Sequence, residues 1–414
     1  MLQTIFAKAL LVAFLISIIF ACKDRAGSAA PDSELVILIS IDGFRHDYID
    51  LTETPAMDRM IESGVRAESL IPVFPTKTFP NHYTIVTGLY PEHHGIIANS
   101  MYDSVFQESF YIGAGSFAAQ DGKWYGGEPI WVTAEKQNKI AATYFWPGSD
   151  AAIQGVRPTR YEVFDNNIPY TKRVNKVISW LQLKPSEQPD FISLYFESVD
   201  SEGHQQGPAS EAALAEVRAV DAQLGRLLDG IDGLGLTDHV NIIVVSDHGM
   251  SQLSRDRIIF MDDYVNTDDV SIINWSPVTD ITPKPGKHDE VLAALTGAHP
   301  HFTVFAKEDM PDSLHYRAHR RIAPIIGIAD DGWSVTEHDY FDERPNAFTG
   351  GTHGFAPQHE SMHGVLIATG PSFARGKTVT AIESIDLYEL MCHILSLTPA
   401  ENDGDLLRTS VMLQ

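Results

Sequence analysis

Four stretches of the chain are short, nearly continuous apolar runs that end on polar residues and a turn: LVILISIDG at 35–43, FISLYFESVDSEGH at 191–204, VNIIVVSDHG at 240–249 and HGVLIATG at 363–370. Runs of this kind predict strands of a mostly parallel sheet buried on both faces. Between them, apolar residues recur at spacings of three and four, the helical period. TPAMDRMIESG predicts a helix that starts at Pro55 and stops at Gly64. NKVISWLQLK and SEAALAEVRAVDAQLGRLLDGI predict two more. From about 251 to 350 the pattern weakens and prolines stand at 277, 283 and 285, which predicts a small cap region inserted into the same domain. The fold class read from these patterns is α/β, with helices on both faces of the central sheet. In open sheets of this class, ligands gather at the carboxyl ends of the strands.

The first residues carry one charge, Lys8, and an apolar run from Ala9 to Phe20, the pattern of an export signal over 1–21. Cys22 follows Ile19-Phe20-Ala21 and resembles a bacterial lipoprotein cleavage box, so a lipid anchor at Cys22 and a periplasmic or outer-membrane-associated location are expected. The alternative is an ordinary signal peptide cut near Ala29-Ala30. Residues 22–34 then read as a flexible tether and 35–414 as a single catalytic domain. Cys392 is the only other cysteine, so no internal disulfide is expected once Cys22 is lipidated or removed. The net charge of -25, from 55 acidic and 30 basic residues, repels nucleic-acid backbones and argues against a polymeric nucleic-acid partner. A small anion can still be held by local metal ions.

Three of the four apolar runs have an acid or histidine just beyond the predicted strand end. Asp42 follows one and Asp247-His248 follows another, while Asp200 and His204 are spaced to share one face of a helical turn. His363 opens the fourth run. Three carboxylates and three imidazoles make up the donor set of two metal ions, each with a position left for substrate. Taken singly, each acid reads equally as a cap or turn residue, and spacing alone does not show that the six converge. The stretch KTFPNHYT at 77–84 then gains a candidate role. A Thr78 hydroxyl on a metal needs no histidine base to become a nucleophile, and paired metals suit in-line displacement at phosphorus.

With these residues in view, the chain resembles the nucleotide pyrophosphatase/phosphodiesterase family of the alkaline phosphatase superfamily. The motifs are IDGFR at 41–45, PTKTFPNHYTIVTGLYPEHHGIIAN at 75–99, ATYFWPGSD at 142–150, DSEGHQQGP at 200–208, SDHGM at 246–250, and THGF with MHGVLIATGPSF within 352–373. The resemblance implies an alkaline phosphatase-like fold and two Zn2+ ions, one held by Asp200, His204 and His363 and the other by Asp42, Asp247, His248 and Thr78. It implies Thr78 as nucleophile, Asn99 with the Phe79 amide as donors to a phosphoryl oxygen, and the Phe79 and Tyr195 rings as a clasp for a nucleobase. The implied reaction releases a nucleoside 5'-monophosphate from nucleotide diesters or pyrophosphates through a nucleotidyl-threonine. The expected chain is the catalytic core alone.

Sister families fit less well. Sulfatases carry Cys or Ser where Thr78 stands, and related phosphomonoesterases add a Lys and Arg pair that the WPGSD region lacks. A choline or lysophospholipid phosphodiesterase, a phosphomonoesterase of the same superfamily and a non-catalytic exported metal-binding module are the alternatives.

Overall fold

The computed structural model describes residues 34–113 and 116–414. The predicted export signal, Cys22 and all of the tether except Glu34 lie outside them. The core is an eight-stranded sheet built, in chain order, from Leu35–Ile41 (β1), Val65–Ala67 (β2), Ala141–Tyr144 (β3), Arg160–Tyr161 (β4), Phe191–Phe196 (β5), Val240–Val245 (β6), Leu366–Thr369 (β7) and Lys377–Val379 (β8). Their spatial order is β8-β2-β7-β6-β1-β5-β3-β4. Every pairing is parallel except those of β7, which runs against both of its neighbours. The predicted HGVLIATG strand therefore exists, but as the reversed member.

Alternation along β1 shows why its sequence is apolar throughout. Val36 and Leu38 pack into one core, and Leu35, Ile37, Ile39 and Ile41 into another on the opposite face. Burying both faces requires a hydrophobic residue at almost every position. On the second face lie the helices Pro55–Ser63 (α1), Tyr170–Leu181 (α3), Ser198–Gln206 (α4) and Glu211–Gly233 (α5). The first face carries Thr78–Thr87 (α2) and Leu387–Ile394 (α6), where Cys392 is buried among apolar neighbours. Helix α1 begins at Pro55 and ends with Gly64 beyond its last residue, as the sequence predicts. Helix α5 is capped by the Ser210 side chain, which accepts from the Ala213 amide.

Within 251–350 the strands Val270–Ile272, Val278–Pro283, Ile325–Ala329 and Phe302–Ala306 form, in that order, a separate antiparallel sheet. Its core holds Ile281, Val291, Phe302 and Ile325, and it includes Phe355 and Met362 from beyond the segment. Asp103, buried in the separate hairpin Ser100–Asp103/Glu108–Tyr111, accepts from Arg320 and Arg321 and so binds this region to that hairpin.

Candidate active site

Three segments leave the sheet at one edge. Strand β1 runs into Asp42, β5 into Glu197 and helix α4, and β6 into Ser246, Asp247 and His248. The parallel registers align these ends: Ile41 faces Phe196 in one ladder and Ser40 faces Val245 in the other. The turn after β1 needs glycine. Gly43 has φ of +66°, and a Cβ there would stand 2.8 Å from the Asp200 Cα.

Two overlapping clusters of ligand-type atoms result, Asp42 with Asp247 and His248, and Asp200 with His248 and His353, each with its atoms within 4.8 Å of one another. His248 Nε2 lies 3.0 Å from Asp247 Oδ2 and 3.4 Å from Asp42 Oδ1. His204 Nε2 lies 3.4 Å, and His353 Nε2 3.8 Å, from Asp200 Oδ1. The Nδ1 atoms of His204, His248 and His353 sit 2.9, 2.9 and 2.8 Å from the carbonyls of Gly351, Gly249 and Thr76, to which each N–H donates. Those bonds fix the tautomer and leave three Nε2 lone pairs free to bind.

Asp42 Oδ1, Asp200 Oδ1 and Asp247 Oδ2 are buried without a hydrogen-bond donor. The nearby His82 Nδ1, 3.2 Å from Asp247 Oδ2, directs its N–H at the Thr78 carbonyl 2.9 Å away. Burial, and then the charges of Asp247 and Asp200, hold the Asp42 carboxyl well above its usual range. Burial also raises Asp200. For Asp247 burial acts the same way, but positive charge on the His248 and His82 imidazoles, when they are protonated, outweighs it and lowers the group. Burial, then His248 and His204, keep His353 neutral. Orphaned carboxylate oxygens facing imidazole lone pairs fit divalent cations, which would remove the mutual repulsion that the protein alone does not offset.

Thr78 is the first residue of α2, so KTFPNHYT spans a helix start. Pro80 is tolerated there because a first-turn N–H has no partner within the helix. Thr78 Oγ1 lies 3.4 Å from His248 Nε2. The Phe79 N–H donates to Asn99 Oδ1 at 2.9 Å, which leaves the Asn99 amide group as the donor not engaged by that bond. Asn81 and His82 lie within α2. Asn81 ties the approach to Thr78 through the Val73 amide and the Val73, Pro75 and Lys77 carbonyls. His82 braces β1 through Ser40 Oγ at 2.8 Å.

Two expected residues are placed differently. His363 does not join either cluster: its Nδ1 pairs with Ser69 Oγ at 2.9 Å and its Nε2 with the Pro357 carbonyl at 3.0 Å, so neither nitrogen is free to bind a metal. His353, in the THGF stretch, stands in its place. Both histidines precede a glycine, and nothing local separates them. Tyr195 is not an open platform, being only 8% exposed, with its hydroxyl donating to Asp42 Oδ2 at 2.5 Å. Phe164 is 49% exposed and lines the same cleft with Phe79, Phe145 and Trp146. No sequence pattern singled out Phe164, which sits in an irregular segment. The cleft, of about 640 Å³, opens over Asp42, Thr78, Asp200 and His353.

Comparison with known proteins places this site in context. Residues 36–356 match the family described as type I phosphodiesterase / nucleotide pyrophosphatase. The chain is 38% identical to human ectonucleotide pyrophosphatase/phosphodiesterase family member 5 over 399 residues, which are 96% of this chain and 81% of that protein. A mouse bis(5'-adenosyl)-triphosphatase is 38% identical over 94% of this chain and 83% of its own length. A venom phosphodiesterase of Naja atra is 37% identical over 92% of this chain and 47% of its own. The structure of murine ectonucleotide pyrophosphatase/phosphodiesterase 5, as an inactive threonine-to-alanine variant in complex with AMP, superposes with a TM-score of 0.87 at 36% identity, covering 92% of this chain and all of that one. The expected alkaline phosphatase-like α/β fold is thereby established. The chain belongs to the type I phosphodiesterase / nucleotide pyrophosphatase family.

Proposed function

We propose that this chain is a zinc-dependent phosphodiesterase that releases nucleoside 5'-monophosphates from nucleotide diesters or pyrophosphates through a nucleotidyl-threonine. The observation that carries this reading is the Thr78 hydroxyl at the N-terminus of α2, beside two clusters that share His248. One ion would be held by Asp42, Asp247, His248 and Thr78, the other by Asp200, His204 and His353. When bound, such ions supply the acidity a threonine hydroxyl needs and offset charge on the phosphoryl oxygens.

Thr78 Oγ attacks phosphorus in line, breaking the bond to the departing group, and water then releases the nucleotide from the threonine. The N-terminus of α2 favours the phosphoryl charge. Asn99, oriented by the Phe79 amide, donates to a non-bridging oxygen. Asn99→Ala is expected to lower kcat by about 10²–10³, by analogy with oxyanion-hole donors, measured on an aryl ester of thymidine 5'-monophosphate.

Phe79 and Phe164 form the base platform in this reading, and Tyr195 instead orients Asp42. Phe164→Ala is expected to weaken binding of a nucleotide by about 1–3 kcal/mol, read mainly in KM. Tyr195→Phe is expected to lower metal affinity about 10–100-fold, as loss of a bond to a ligand does. A Tyr195→Phe enzyme altered in KM alone would return Tyr195 to the base.

Support from relatives lies in the nucleotide activities their names carry and in the AMP complex of the murine structure. The test compares kcat/KM for an aryl ester of thymidine 5'-monophosphate, a simple aryl phosphate and glycerophosphocholine, before and after zinc removal. Preference for the first, lost with zinc, is expected. Preference for either of the others would overturn the reading in favour of a monoesterase or a choline phosphodiesterase.

A further inference from the structure

Among the described residues that line the cleft there are carboxylates at Asp42, Asp150, Asp165 and Asp200, and no Lys or Arg. Three cations lie close to the lining, and each is engaged elsewhere. Arg157 donates to the Asp150 carbonyl and leans on the Tyr161 ring. Lys77, next to Thr78, sets its ammonium against the carbonyls of His353 and Ser276, at 3.1 and 3.5 Å. Arg173 lies under the Phe145 ring, donates to the Tyr195 carbonyl at 2.9 Å, and holds Glu197 through two bonds of 2.6 and 2.8 Å. At the cleft, Asp165 accepts from the Asn167 amide and side chain at 2.9 Å each, and those bonds favour its charged form.

This pattern bears on substrate charge and rests on the phosphodiesterase reading above. Two divalent ions against Asp42, Asp200 and Asp247 leave one net positive charge, which a single diester phosphoryl neutralises. Any further phosphate enters a cleft with no Lys or Arg among its described lining residues and comes near Asp150 and Asp165.

We infer that the cleft selects nucleotides by the charge beyond the scissile bond, taking dinucleoside diphosphates, whose second phosphate is itself a diester, over nucleoside triphosphates. The departing pyrophosphate of a triphosphate carries about three negative charges, because terminal phosphates lose their second proton near pH 6.

The test measures kcat/KM for di(adenosine-5') diphosphate and for ATP on the zinc-loaded enzyme at low ionic strength without magnesium. The dinucleotide is expected to be favoured by about tenfold or more, with the gap narrowing as salt screens the cleft. Magnesium, which neutralises the triphosphate tail, should narrow it as well. Asp165→Asn and Gln120→Lys, both in the cleft lining, should each raise the ATP value relative to the dinucleotide. Calorimetric binding of both nucleotides to the Thr78→Ala protein gives the same preference without turnover. Equal values, or a preference for ATP at low salt in both rates and binding, would overturn the inference. Hydrolysis of neither nucleotide would count against the phosphodiesterase reading instead, and the binding measurement still decides the charge preference.

Discussion

Thr78→Ala is expected to abolish turnover, with kcat lowered by at least about 10⁴-fold, the scale seen when a covalent nucleophile is removed from a hydrolase. The change deletes one hydroxyl and one methyl at the solvent-facing start of α2, where Thr78 is only partly buried. Six other side chains remain to hold the ions, and Asn81 still ties the loop before the helix to the Val73, Pro75 and Lys77 carbonyls. Melting temperature and zinc content, by mass spectrometry of the desalted protein, should therefore match the parent. An active Thr78→Ala enzyme would mean that water attacks directly, and the nucleotidyl-threonine would be wrong.

His353→Ala should remove metal from the site and activity with it, whereas His363→Ala should leave both in place. His353 has its Nδ1–H fixed on the Thr76 carbonyl and its ring stacked on His248 with centroids 3.5 Å apart, so its Nε2 is held at the cluster. Losing it should cost more metal affinity than the roughly 10–100-fold typical of a supporting contact. Excess zinc should restore part of the rate. His363 bonds Ser69 and Pro357, and its replacement should cost about 2 kcal/mol of stability, about 1 kcal/mol for each of the two hydrogen bonds. Zinc titrations of both variants decide the matter. Loss of metal from His363→Ala, with His353→Ala unaffected, would restore the ligand set expected from sequence.

Most of the frame was legible because its causes are local. A strand buried on both faces must be apolar along its length, so LVILISI and VNIIVV declare themselves, and an acid placed directly after such a run lands at the sheet edge whatever the rest of the chain does. Asp42, Asp247 and His248 were found in this way. Asp200 and His204 were found by helical spacing, which the α4 helix bears out in geometry. Where α2 begins was less legible. KTFPNHYT contains a proline and no capping side chain, yet the helix starts at Thr78, with Lys77 as an uncapped flank.

The two misplaced residues have one explanation. His353 and His363 both precede a glycine, and the fourth predicted strand made His363 look like an edge residue of the same kind as Asp42. That strand is β7, and because it runs antiparallel its beginning does lie at the edge where β6 ends, with Leu366 opposite Val245; what keeps His363 out of the clusters is its engagement by Ser69 and the Pro357 carbonyl. Tyr195 sits on β5 and its ring was given to the base; in the fold its hydroxyl reaches across to Asp42 on β1, and Phe164 is the exposed ring instead.

Sequence by itself determined the class of fold and singled out the acids and histidines at the ends of parallel strands, because periodicity and position relative to a strand end are properties of contiguous residues. Tertiary structure alone decided which histidine completes the second cluster, which aromatic ring faces the cleft, and that Lys77 and Arg173 turn away from it. Each of those depends on contacts between separate segments of the chain, such as Tyr195 with Asp42 or Lys77 with His353, where no local energy distinguishes the alternatives.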